Sequence, residues 1–178
     1  MLLSVIFLLL GYKEEVPSRK LQKEIETFYH IKVKVIKADL PRSAYYAPRN
    51  RYRADSILNY LKRTYPNDHV VALTSVDIST TKGSVKDWGV FGLGSLQDNV
   101  CITSVYRLKN KNAYDRTLKV CLHEIGHTLG LLHCSSGQPC FMKKGDQTSK
   151  TLDKEPLTMC TQCKKNAARK IYRKYLQK

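Results

Sequence analysis

The chain has 178 residues, 42% of them apolar and 9% aromatic, which is enough for one domain with its own core and too few for two full domains. Thirty-one Lys and Arg against fifteen Asp and Glu leave a formal charge of +16. Nucleic acid, an anionic membrane surface and acidic substrates all fit such a charge, and charge alone does not choose among them. Six Cys would suit the disulfide framework of a secreted mini-protein, but this chain is too long and too rich in core residues to need one.

Residues 1–11 form an apolar run broken only by Ser4, about half the length a bilayer-spanning helix requires, so no membrane span is expected. A signal peptide is the rival reading, yet no basic residue precedes the run, and Tyr12, Lys13 and Glu14 follow it in place of a small-residue cleavage site. The preferred reading is a buried strand over residues 5–10, then an amphipathic helix over 17–29 with Leu21, Ile25 and Phe28 on one face. Residues 31–36 alternate apolar and basic side chains, the pattern of a strand with one buried face. Residues 40–53 hold Pro41 and Pro48 among Tyr and Arg and read as a loop, whereas 54–65 carry Ile57, Leu58 and Leu61 at helical spacing. The apolar run at 70–74 suits a central strand, 83–94 is a Gly-rich stretch around Trp88 and Phe91, and 100–105 gives a further strand. From about 114 to Gly130 the residues Leu118, Cys121, Leu122, Ile125 and Leu129 mark one face of a long helix that Gly130 ends. Residues 158–178 read as a basic C-terminal helix, with seven Lys and Arg and no acid from 164 onward. This order of elements predicts an α/β or α+β fold, one compact domain over 1–178 with a mixed sheet.

The long helix carries His123-Glu124-Ile125-Gly126-His127. Residues four apart share a helix face, so both imidazoles can reach one ion while Glu124 stands beside it. Gly130 lets the backbone turn and brings His133 round as a third ligand. Three neutral imidazoles leave zinc an open position for water, the arrangement of a catalytic site. Zinc would bring its water's pKa toward neutrality, and Glu124 would act as general base. Three of the five His lie in this stretch; His30 and His69 lie outside it and receive no role.

Cys134 follows His133 directly, Cys140 comes six positions later, and Cys160 and Cys163 form a Cys-x-x-Cys knuckle. Four thiolates so spaced suit a closed, tetrahedral structural zinc, with two disulfides as the alternative. Cys101 and Cys121 fall inside apolar patterns and are expected to be buried thiols. Met142, close to the third His, is a candidate for the apolar floor beneath a zinc site.

Together, the stretch from His123 to Cys134, Cys140-Phe141-Met142, and Cys160-Thr161-Gln162-Cys163 resemble the archaemetzincins, a family of metzincin-type zinc peptidases. The resemblance implies a catalytic zinc on His123, His127 and His133 with Glu124 as general base. It further implies a structural zinc on Cys134, Cys140, Cys160 and Cys163, hence two zinc ions per chain, and Met142 in the Met-turn. The family usually has four residues between the first two Cys, whereas this chain has five, Ser135 to Pro139. In metzincins a strand beside the zinc pairs with extended peptide substrate, and either 91–96 or 100–105 fits that part here.

A zinc metalloprotease acting on peptides or proteins, acidic ones by the charge argument, is therefore the expected function. The alternative is a zinc-stabilised nucleic-acid- or peptide-binding module with little turnover, motivated by Lys164, Lys165, Arg169, Lys170, Arg173 and Lys174 with Tyr172 and Tyr175 among them. No groove-reading motif accompanies that charge. An amphipathic helix packing Ile171 and Leu176 on the body is the plainer account of the tail. Zinc-bound thiolates suit a reducing compartment and so the cytoplasm; export is the alternative if residues 1–11 belong to a signal peptide.

Overall fold

The computed structural model describes residues 4–145 and 148–173. The apolar run is a strand, β1 (Ser4–Leu10), inside a five-stranded sheet. On one side it pairs in parallel with β2 (Lys32–Ala38), and on the other with β5 (His69–Thr74). Beyond β5 come β9 (Val100–Ser104), also parallel, and at the edge β8 (Gly92–Gly94), antiparallel to β9. Strands covered on both faces read as near-continuous apolar runs, and every residue of β5 and β9 is buried, the polar exceptions His69, Thr74, Thr103 and Ser104 lying at the strand ends.

Side chains that alternate along a strand go to opposite faces, so β1 feeds two cores. Val5, Phe7 and Leu9 meet α1 (Ser18–Tyr29) and α3 (Ala113–Thr128), while Ile6, Leu8 and Leu10 meet α2 (Ala54–Thr64) on the other side. The result is an α/β sandwich with helices on both faces. In α1, Leu21, Ile25 and Tyr29 are buried and Phe28 is half-buried. The outer strand β2 departs from the single buried face expected of it: Val33 is buried and Val35 exposed, while Ile36 and Ala38 pack on the α2 side.

A second, four-stranded sheet lies where a loop and a Gly-rich stretch were expected. Two 3-10 turns (Arg42–Ala44 and Ala47–Arg49) alternate with the short strands β3 (Tyr45–Tyr46) and β4 (Arg51–Arg53), and β6 (Ile78–Lys82) and β7 (Val85–Val90) complete the order β3-β4-β6-β7. These strands carry little apolar alternation because ion pairs hold them. Asp77 takes Arg107 at 2.6 Å and Arg51 at 3.3 Å, and Asp87 takes Arg49 at 3.3 Å and Arg51 at 3.4 Å. Gly83, with φ at +57°, turns the β6–β7 hairpin.

The chain closes with two helices, α4 (Ser149–Lys154) and α5 (Thr161–Ile171). The basic helix thus starts at Thr161 rather than 158, capped by Cys160, whose sulfur accepts the Cys163 N–H. Cys163 and Ala167 are buried and Ile171 packs against the core. Tyr175 and Leu176 lie outside the described residues.

Candidate metal centre

α3 is the spine of the site. It runs under the sheet to Thr128, where the Leu131 N–H reaches back to Gly126 O at 3.0 Å and Gly130, with φ at +77°, reverses the chain. That reversal brings His133 to the two helical imidazoles. The ligand atoms of His123, His127 and His133 all lie within 4.8 Å of one another. His123 and His127 are half-buried and His133 stands exposed at the mouth.

Each helical imidazole is held from behind. His123 Nδ1 contacts Phe141 O at 2.7 Å and His127 Nδ1 contacts Leu131 O at 2.8 Å. A carbonyl only accepts, so both Nδ1 atoms carry the proton and, in the neutral ring, both Nε2 atoms are bare. Burial keeps the rings neutral, pushing His123 down to about 4 and His127 below its ordinary value, helped at His123 by the neighbouring His127 and His133. The two bare Nε2 atoms nonetheless face each other at 3.0 Å. Lone pairs so placed repel, and a cation between them removes the repulsion, so the donor set fits a zinc ion.

Glu124 is 8% exposed. Burial pushes its carboxyl up to about 8, with the backbone N–H of Gly94 acting in the opposite sense. Two glycines of β8 make room for it. A Cβ on Gly92 would stand 2.7 Å from Glu124 Cγ, and one on Gly94 would stand 2.6 Å from Glu124 O. Beneath the helix, Met142 is fully buried. A Cβ on Gly126 would stand 2.5 Å from its sulfur, so this glycine admits the thioether directly under the turn that separates the two imidazoles. Sequence reading missed Gly92, Gly94 and Gly126. A glycine inside a helix lowers stability by about 1 kcal/mol relative to Ala, which makes Gly126 itself a signal of close approach.

The four thiols meet as a second cluster. The sulfurs of Cys134, Cys140, Cys160 and Cys163 lie within 4.8 Å of one another, compatible with the roughly 3.8 Å edge of a tetrahedron with 2.3 Å zinc–sulfur bonds. All six cysteines are free thiols, and Cys134 Sγ and Cys160 Sγ stand 3.6 Å apart, well beyond a disulfide bond. The Cys163 N–H lowers the Cys160 thiol to about 6, whereas burial raises Cys140 and Cys163. The longer spacer leaves Cys140 in the cluster. Cys101 and Cys121 are buried elsewhere, as expected. His69 is buried with its Nε2 2.7 Å from Thr128 Oγ1, where it braces the end of α3.

A cavity of about 250 Å³ opens beside His123, Glu124 and His133, between the start of β8, α3 and α4. A larger one of about 550 Å³ lies on the other side of His133, walled by Arg169 and Lys170 of α5 and by Arg173 just beyond it. Among the described residues no helix is long and apolar enough to cross a membrane.

Paired imidazoles one helical turn apart, a third after a glycine turn and a buried carboxyl between them, beside the antiparallel edge strand of a sheet, define a zinc-dependent peptidase. Residues 15–169 match the model of Peptidase family M54, and the chain belongs to this family, that of the archaemetzincins. Archaemetzincin from Halobacterium salinarum is 29% identical over 83% of this chain and 89% of its own, and that of Nanoarchaeum equitans is 32% identical over 76% and 73%. Two solved structures share the fold. The archaemetzincin of Archaeoglobus fulgidus, solved with malonate, has a TM-score of 0.77 at 27% identity over 92% of this chain and 99% of its own. That of Methanopyrus kandleri has a TM-score of 0.76 at 26% identity over 94% and 96%. The protein is accordingly a zinc metallopeptidase with an α/β fold.

Proposed function

We propose that the chain hydrolyses peptide bonds with a zinc ion held by His123, His127 and His133 and Glu124 as general base, and that a second zinc ion is held by Cys134, Cys140, Cys160 and Cys163. The observation that carries this reading is the pair of proton-free Nε2 atoms facing each other at 3.0 Å while their Nδ1 atoms are spent on backbone carbonyls. Zinc bound at the imidazoles supplies a water of lowered pKa and a Lewis acid for the scissile carbonyl.

The chain's own residues do the rest. Glu124 takes the proton of the attacking water and passes it to the leaving amine; its burial makes the carboxyl basic enough to hold that proton in transit. β8 is the strand that pairs with substrate, because among the described residues β9 is occupied on both edges and β8 on only one. An extended peptide adds to β8 antiparallel, the slightly more stable arrangement. Since Gly92 lies by Val120 and Glu124, and Gly94 by Glu124 and His127, the peptide's C-terminal half then runs toward Gly92 and the smaller cavity. Met142 closes the floor, and the thiolate-bound ion staples the loop after α3 to α5, a chemistry suited to a reducing compartment such as the cytoplasm.

The test is the zinc content of the wild type, His127→Ala and Cys160→Ser by elemental mass spectrometry, with hydrolysis of a peptide panel by the wild type and Glu124→Gln. The reading expects two zinc ions in the wild type, one lost in each metal-site variant, and hydrolysis lost in Glu124→Gln with both ions kept. A zinc-replete wild type holding one ion or none, or full activity in Glu124→Gln, overturns it.

A further inference from the structure

The smaller cavity is lined in part by a buried lysine, Lys119. Lys119 precedes His123 by one helical turn and Val120 precedes Glu124 by one turn, so both side chains lie on the face of α3 that carries the site and both line the cavity. Lys119 is only 8% exposed, and its Nζ donates to Leu152 O at 2.6 Å. An ammonium has three donors, and among the described residues Leu152 O is the one hydrogen-bond acceptor recorded for it. No carboxylate of those residues stands within ion-pair distance, although Lys119 acts on the Asp153 carboxyl from farther off. Asp153, next in the chain to Leu152, has both its oxygens taken by Arg116 at 2.7 and 2.6 Å, with Asn112 also on one of them.

An ammonium shut away from water and short of partners is costly unless an anion reaches it. The cavity's setting supplies the direction from which one would come. Lys82, Lys143 and Lys144 also line it; its two carboxyls are Glu124, assigned to catalysis, and Glu155, which has an interaction of its own. Its volume of about 250 Å³ is below the roughly 300–1,000 Å³ typical of whole-ligand sites and suits one side chain with a few waters.

We propose that Lys119 is a specificity-determining residue: this cavity receives the side chain of the substrate residue that follows the scissile bond, and Lys119 selects a carboxylate there, Glu or Asp. The proposal rests on the peptidase reading above and on the antiparallel course of the peptide along β8. It assigns a substrate class to the site, namely peptides cut on the N-terminal side of an acidic residue. The ammonium that already holds Leu152 O turns its remaining donors to the incoming carboxylate, forming a charge-assisted hydrogen bond in a place sheltered from solvent. A neutral side chain of the same shape leaves those donors unmet, and that unmet state is the source of discrimination.

The experiment uses zinc-loaded full-length protein and quenched fluorescent peptides that are amidated at the C-terminus and differ at a single position: Glu, Asp, Gln, Leu or Lys. Cleavage points are mapped by mass spectrometry. The wild type should cleave before Glu or Asp with a kcat/KM about tenfold or more above that for Gln, and Lys least well. Lys119→Met should lose the Glu-over-Gln ratio and Lys119→Arg should keep it, with zinc content and melting temperature reported for both. Equal rates on Glu and Gln in the wild type, or a preserved ratio in Lys119→Met, overturn the proposal. One further peptide ends at Gln as a free acid; preference for it over amidated Glu would assign the cation to a chain terminus and overturn the side-chain claim. Binding of the same peptides to zinc-loaded Glu124→Gln, with and without Lys119→Met, is read by fluorescence anisotropy. If no peptide is cleaved but Glu binds better than Gln through Lys119, the peptidase reading fails while the acidic preference stands. If binding is equal, the acidic preference fails as well.

Discussion

The sulfur of Met142 lies 2.5 Å from where a Cβ on Gly126 would stand. The only glycine inside the described part of α3 is therefore matched to the residue that passes beneath it. Gly126→Ala should force Met142 aside and tilt the turn that carries both imidazoles. The expected cost is about 1–3 kcal/mol from overpacking, read as a lower melting temperature, together with weaker retention of the histidine-bound zinc on dialysis against chelator. An alanine variant with wild-type stability and zinc retention would show that the floor has slack.

The close approach of Gly92 to Glu124 tests the proposed general base from the opposite side. In Gly92→Ala the new methyl would come within 2.7 Å of Glu124 Cγ and 2.9 Å of Val120 Cγ1. The carboxyl has to move, since its atoms and Val120 are what the new methyl meets first. We expect kcat to fall by about 10²-fold with two zinc ions still bound, as measured by peptide hydrolysis beside elemental analysis. Loss of zinc together with activity would mean that β8 positions the metal site rather than the base.

The thiol cluster should act as part of the fold. Cys160→Ser removes one of the four proposed zinc ligands and also the sulfur that caps α5. A loss on the order of 3 kcal/mol or more, equivalent to a fall in melting temperature of roughly 6–12 °C in a chain of this length, is expected together with the loss of one zinc ion. Cys101→Ser, which alters a buried thiol away from both clusters, should leave the zinc content at two.

The brace beside the cavity gives a pH signature. The Arg116 guanidinium holds the Asp153 carboxyl at about 2, below its ordinary 3.8. Because the folded value is the lower one, this pairing stabilises the fold above pH 3.8, and its contribution is lost as the pH falls from there toward 2. Asp153→Asn in metal-free protein should therefore have a lower urea midpoint than the wild type at pH 7. The gap should close over that acid window. A gap that persisted at pH 2 would assign the effect to packing of α4 instead of charge.

The convergence of three imidazoles and of four thiols, and the helix under them, were legible in the sequence because their information is local. The spacing from His123 to His133 follows from one helical turn and one glycine, and the Cys160–Cys163 knuckle spans a single helix start. The strand at Ser4–Leu10 and the central strand at His69–Thr74 were legible for a different reason: strands covered on both faces carry a continuous apolar run, here residues 5–10 and 70–73. The second sheet was not, since β7 buries only Val90 and the arginines that hold this sheet pair with Asp77 and Asp87 across long stretches of chain. Lys119 was also invisible as anything but a polar helix residue; only the placement of α4 over it shows that its ammonium is enclosed.

His133 and Cys134 are consecutive, and the Cys134 N–H is tied to Met142 O at 2.8 Å. A single peptide bond thus joins the group that would complete one metal site to the group that would begin the other, with no intervening residue to absorb a displacement. Peroxide that oxidised the Cys134 sulfur would tug directly on the imidazole next door. Oxidative stress would then silence hydrolysis without touching a catalytic atom, and a thiol reductant with fresh zinc would restore it.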